Sequence, residues 1–155
     1  MLDISNCERV TSYALENLKS GLKSLIGLQV LKIHTSSCKN IDDETLATAS
    51  QILCSLESLQ ELNLNFSGCE NITDTGIKNL EKGLQARHNL GSLSLAFRNC
   101  SNITDDGLKA LQNGIRVLFN LKKLSLHFWG GMKFSENGLL SFSESLSRFT
   151  ELEAL

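Results

Sequence analysis

Leucines recur along the chain on a fixed ruler. Leu28, Leu59, Leu90, Leu121 and Leu152 stand 31 residues apart at every step, with no insertion. Each opens a Leu-x-x-Leu-x-apolar run: Leu28, Leu31, Ile33; Leu59, Leu62, Leu64; Leu90, Leu93, Leu95; Leu121, Leu124, Leu126; a last run begins with Leu152 and Leu155. Apolar and polar residues then alternate with a period of two. Leu62, Leu64 and Phe66 enclose Asn63 and Asn65, the pattern of a strand with one buried face. Leu93, Leu95 and Phe97 repeat it, as do Leu124, Leu126 and Phe128. Further along each unit the period becomes helical: Leu46, Ala49, Leu53; Ile77, Leu80, Leu84; Leu108, Leu111, Ile115; Leu139, Phe142, Leu146. Thr73 and Thr104 precede acids (Asp74; Asp105 and Asp106), which predicts N-caps with favourable first-turn charge.

The connecting loops keep the same ruler. Cys7, Cys38, Cys69 and Cys100 align, with Gly131 in the fifth place. So do Asn40, Asn71 and Asn102, then Val10, Ile41, Ile72, Ile103 and Phe134, and then Gly76, Gly107 and Gly138. Each unit therefore reads strand, loop, helix, loop. One strand and one helix cannot bury their apolar faces alone, whereas stacked copies can. The pattern predicts an α/β solenoid with a parallel sheet on one side and helices on the other. Helices are wider than strands, so the stack should bend, with the sheet concave and the helices convex. We read residues 1–155 as a single array of about five 31-residue units with no linker. Neither end carries a polar cap, so a longer parent array or end-to-end association is expected.

The segment Leu59-x-x-Leu62-x-Leu64 followed by Cys69-x-x-Ile72-Thr73-Asp74-x-Gly76-Ile77 resembles a leucine-rich repeat, and Cys100-x-x-Ile103-Thr104-Asp105-x-Gly107-Leu108 repeats it. The resemblance is to the cysteine-containing and ribonuclease-inhibitor-like subclasses, and it covers essentially the whole chain. The units are longer than is usual there, and the cysteine follows the Leu-x-Leu pair by five residues, from Leu64 to Cys69. The resemblance implies a structural loop ladder for Cys7, Cys38, Cys69 and Cys100, each bonding loop carbonyls of the same or the next unit. It also implies a non-catalytic scaffold that binds a protein.

Composition narrows the chemistry. Fifteen Lys and Arg against 17 Asp and Glu give a net charge of -2, so no basic field is available for nucleic acid. No apolar run approaches the ~18 residues of a membrane span, and no signal-peptide pattern precedes the first turn. Five cysteines without a Cys-x-x-Cys pair fit neither a zinc site nor a closed disulfide set, and reduced thiols in the cytoplasm are expected. Cys54 falls outside the column and is expected to fill the core. His34, His88 and His127 lie in no nucleophile or metal motif, and no phosphate-binding loop is present. Trp129-Gly130-Gly131 is expected to shape a loop. Asp42, Asp43 and Glu44, like Asp105 and Asp106, are expected as solvated helix-start acids. No enzyme and no cofactor are expected.

The remaining candidate is the outward face of the strands. Its columns are Val30, Glu61, Ser92, Lys123; Lys32, Asn63, Ser94, Ser125; His34, Asn65, Ala96, His127; and Ser36, Ser67, Arg98, Trp129. We expect a protein partner of unspecified identity at Lys32, His34, Asn63, Asn65, Arg98, His127 and Trp129. Arg98, His127 and Trp129 are the most contact-prone, because Arg and Trp dominate interface energetics. The alternative for Trp129 is local packing in an irregular repeat. The rival functions are an architectural subunit of a large assembly and substrate recognition for a ubiquitin ligase.

Overall fold

The computed structural model describes residues 1–7, 11–131 and 133–154. Val10 and Leu155, members of the repeat columns, lie outside them. The elements alternate strictly: β1 (Leu2–Asp3), α1 (Ser12–Lys23), β2 (Val30–His34), α2 (Asp43–Leu53), β3 (Glu61–Asn65), α3 (Asp74–Gln85), β4 (Ser92–Ala96), α4 (Asp105–Ile115), β5 (Lys123–His127) and α5 (Glu136–Leu146). The strands form one parallel sheet in chain order. Its register moves by one repeat at each step, so Leu31, Leu62, Leu93 and Leu124 lie side by side. Each helix packs on the helices of the adjacent units. The fold is an α/β solenoid.

Period-two alternation buries one side of each strand. Leu62, Leu64, Leu93 and Leu95 are at most 1% exposed, and they meet Leu46, Leu80, Leu84 and Leu111 from the helices in one continuous core. Phe66, Phe97 and Phe128 extend the inward column past the strand ends. Their rings stack at 5.8 and 6.3 Å, and Phe134 closes the row edge-on to Phe128 at 5.5 Å. Offset stacking adds to the area that these rings bury.

The helix-start acids differ from expectation. Asp43, Asp74 and Asp105 are half-buried, and each reaches the N-cap of the next helix. Asp43 accepts from the Thr73 backbone N–H at 2.8 Å and the Thr73 hydroxyl at 2.7 Å. Asp74 does the same for Thr104 at 2.8 and 2.7 Å, and Asp105 for Ser135 at 2.9 and 2.5 Å. Each hydroxyl also caps its own helix, accepting from Thr75, Asp106 or Gly138 backbone N–H. These carboxylates therefore join units together. Hydrogen bonds from the Ser135 hydroxyl, then from its backbone N–H, hold the Asp105 carboxyl below its ordinary value of 3.8.

This ladder explains the Gly76, Gly107, Gly138 column. A Cβ at position 107 would stand 2.5 Å from Asp74 Oδ1 and 2.7 Å from Ile103 Cγ2. The carboxylate of the preceding unit occupies that space and accepts the Gly107 N–H at 2.9 Å. A second repeat column is set by backbone sign. Asn6, Ser37, Gly68, Asn99 and Gly130 all have φ between 58° and 82°, where Asn and Gly are favoured.

Among the described residues, one buried core position carries a charged side chain. In the column of Leu56 and Leu118, both fully buried, stands Arg87, only 7% exposed. Its Nε and Nη1 have no hydrogen-bond partner. A buried donor left unpaired carries its full desolvation cost. Arg87→Leu should therefore stabilise the fold by about 1–3 kcal/mol, read as a rise in thermal midpoint by calorimetry; an unchanged or lower midpoint would show the guanidinium to be favourably placed. Gly107→Ala should destabilise it by about 1–3 kcal/mol, the usual cost of overpacking. Denaturant titration measures this, and Gly91→Ala, where the nearest atom to a new Cβ is 3.8 Å away, serves as the unstrained control.

Candidate functional site

The outward strand columns form ladders in register: Val30, Glu61, Ser92 and Lys123 are successive partners, as are Lys32, Asn63, Ser94 and Ser125, and His34, Asn65, Ala96 and His127. Backbone pairing continues beyond the strands. Gly68 N–H donates to Arg98 O at 2.7 Å and Asn99 N–H to Trp129 O at 2.5 Å. Arg98 and Trp129 are thereby held side by side.

The expected contact residues divide into two groups. On β2 and β3, Lys32 forms an ion pair with Glu61 at 2.5 Å. His34 Nε2 meets Asn63 Oδ1 at 3.3 Å, and its Nδ1 lies 3.9 Å from an Asp3 carboxylate oxygen. Asn65 is spent locally, its Oδ1 accepting the Ser67 N–H at 3.0 Å. On β4 and β5, Arg98 Nη2 stands 3.1 Å from His127 Nδ1, and His127 Nε2 stands 3.0 Å from Ser125 Oγ. Between the groups run Ser92, Ser94 and Ala96. Ala96 is 6% exposed, so its neighbours cover it despite its outward register. Trp129 is 70% exposed and does not pack into the loop.

This geometry assigns the His127 tautomer. Arginine is a donor with no acceptor, so Nδ1 must accept and Nε2 carries the proton toward Ser125. A histidine acting as base toward that serine would need an unprotonated Nε2 and an acid on Nδ1. The Ser125–His127 contact thus holds a side chain in place and does not activate a nucleophile. Sequence reasoning overlooked Ser125 and Glu61 as partners because nothing in the spacing tells which outward neighbours bond each other.

The cysteine column lies beneath the loop end of this face. Cys38 Sγ donates to Ile4 O at 3.2 Å, Cys69 Sγ to Thr35 O at 3.2 Å and Cys100 Sγ to Phe66 O at 3.3 Å. These acceptors belong to the preceding unit where the next one was expected; the expected bonds within the unit are also present, Cys38 donating to Ser36 O at 3.8 Å and Cys100 to Arg98 O at 3.9 Å. Burial pushes two of these thiols up, Cys69 to about 11 and Cys100 to about 12. The asparagine column does the same work, Asn71 Nδ2 donating to Lys39 O at 2.7 Å and Asn102 Nδ2 to Glu70 O at 2.9 Å. Cys7 is exposed. So is Cys54, which follows the last turn of α2 and does not fill the core.

Two open grooves border the face. One of about 390 Å³ lies at the strand starts, among Val30, Glu61, Ser92 and Lys123. The other, about 720 Å³, crosses the loops past Gly68, Asn99 and Gly130. Among the described residues no cluster of three or more His, Cys, Asp or Glu is placed to hold a metal ion, and no helix is long and apolar enough to cross a membrane.

Solved structures share this architecture. The chain is similar to leiomodin-1 actin-binding site 2, with a TM-score of 0.65 and 17% identity over 97% of this chain and 80% of that one. It is similar also to the tropomodulin C-terminal domain of Caenorhabditis elegans, with a TM-score of 0.65 and 16% identity over 97% of this chain and 83% of that one. The fold is a leucine-rich-repeat solenoid. The sequence matches no family model and no curated protein.

In the leucine-rich-repeat frame the cysteines fall into two reactivity classes. Iodoacetamide applied to the native protein should alkylate Cys7 and Cys54 first, and Cys38, Cys69 and Cys100 only after denaturation. Peptide mass spectrometry over time checks this; early labelling of Cys69 or Cys100 would contradict the buried thiol ladder.

Proposed function

We propose that the chain is a non-catalytic module that binds a protein partner through the strand face, the concave face of the array. The observation that carries the reading is the exposed Trp129 beside Arg98, with the guanidinium held by His127 and that ring by Ser125. Aromatic and arginine anchors are the composition of an interface core. Lys32, His34, Asn63 and Asn65 make up the other half of the surface. The leiomodin-1 structure is named as an actin-binding site, which supports a protein ligand for this type of fold. Residues 1–155 act in this reading as one repeat array, the Cys38, Cys69 and Cys100 ladder serves structure alone, with exposed Cys7 outside it, and the setting is cytoplasmic.

Immobilised full-length chain, incubated with cell extract and separately with filamentous actin, tests the reading. A protein retained by the wild type should be lost on Arg98→Ala and on Trp129→Ala and kept on Lys82→Ala, which changes an exposed helix residue. Each strand-face change should weaken binding by about 2 kcal/mol, near 30-fold, the size of an interface anchor. Equal retention by all variants would remove Arg98 and Trp129 from the interface, and loss on Lys82→Ala alone would move it to the helices.

A further inference from the structure

Charge divides the strand face unevenly. Its outward side chains include three cations, Lys32, Arg98 and Lys123, against two carboxylates, Asp3 and Glu61, so the face is positive in a chain whose net charge is -2. On β2 and β3 the charges are matched: Lys32 pairs with Glu61, and Asp3 faces His34. On the β4 and β5 side, no carboxylate among the described residues pairs with Arg98 or Lys123. Arg98 is exposed and spends one donor on His127, while the rest of its fork stays open to a ligand.

We propose that this half of the face binds an acidic, carboxylate-bearing segment of the protein partner, with an apolar side chain of that segment lying on Trp129. The inference rests on the strand-face reading above and adds the chemistry of the partner. Arginine recognises a carboxylate through two parallel N–H···O bonds. Ordinarily an exposed guanidinium loses side-chain freedom on binding, but His127, itself in contact with Ser125, already holds this one, which lowers that cost. The small floor of Ser92, Ser94 and Ala96 lets an extended backbone approach the sheet while its acids reach Arg98 at one end and Lys123 at the other. These two outward positions span about 20 Å along the strand direction, at ~3.3 Å per residue. A nucleic acid needs a continuous cationic track. Two separated cations on a chain of negative net charge suit an acidic peptide.

Photo-crosslinking tests the proposal in the full chain. Benzoylphenylalanine replaces Asn63, beside the small floor on the strand face, or, separately, Lys82 on the helix side. Captured segments are sequenced after irradiation in extract. The expected result is capture at position 63 of segments rich in Asp and Glu, with yield reduced about tenfold by Arg98→Glu and falling with added salt. Arg98→Gln should give a smaller loss and serves if Arg98→Glu does not fold, which circular dichroism reports. Neutral or basic segments at position 63, nuclease-sensitive adducts, or a yield indifferent to both Arg98 variants would overturn the acidic partner; protein capture there would still leave the strand-face reading standing. Capture confined to position 82, or none at either position, would overturn both.

Discussion

Each unit of this protein presents polar groups at its edge that the adjoining unit satisfies. Asp74 reaches forward to the Thr104 hydroxyl and backbone N–H, Cys100 reaches back to Phe66 O, and Asn102 reaches back to Glu70 O. Buried or half-buried polar groups are costly unless paired, so these bonds hold only where the units stack in register. A slip of one residue would face every leucine outward and leave thiols, amides and carboxylates without partners together. The parallel, in-register stack is thus the constraint on which the rest of the structure depends.

That constraint also shapes the surface. Because register is fixed across five strands, outward residues cannot choose their neighbours. They become straight ladders, and their chemistry varies only by what each unit supplies. Small residues on β4 leave a flat strip, whereas β5 and the loop beyond it supply His127 and Trp129 beside Arg98. The exposed indole sits where the repeat pattern weakens, with Gly131 at positive φ in place of the cysteine.

The repeat length, the alternation of Leu62, Leu64 and Phe66 and the helical spacing of Ile77, Leu80 and Leu84 were legible in the chain, because burying apolar area imposes periods that show directly in the spelling. The Gly107 column was visible too, but its cause was not: the glycine answers to a carboxylate 33 residues earlier. Asp43, Asp74 and Asp105 read as ordinary helix-start acids, since a capping acid and an acid bonded to the next unit have the same local context. Cys54 matched a core residue by type alone and proved exposed. Arg87 stands in a leucine column, a departure that the repeat alignment could have flagged.

The sequence by itself determined the unit, its strand and helix, the parallel stacking and which residues face outward, because these follow from hydrophobic periodicity and from the need of identical units to cover one another. Tertiary structure alone decided which polar partners meet: the direction of the thiol bonds, the carboxylate bridges between helix caps, the tautomer of His127 and the pairing of Lys32 beside an unmatched Arg98. Those depend on ångström distances between residues about 30 positions apart, and a polar side chain carries no mark in the sequence of the neighbour that will satisfy it.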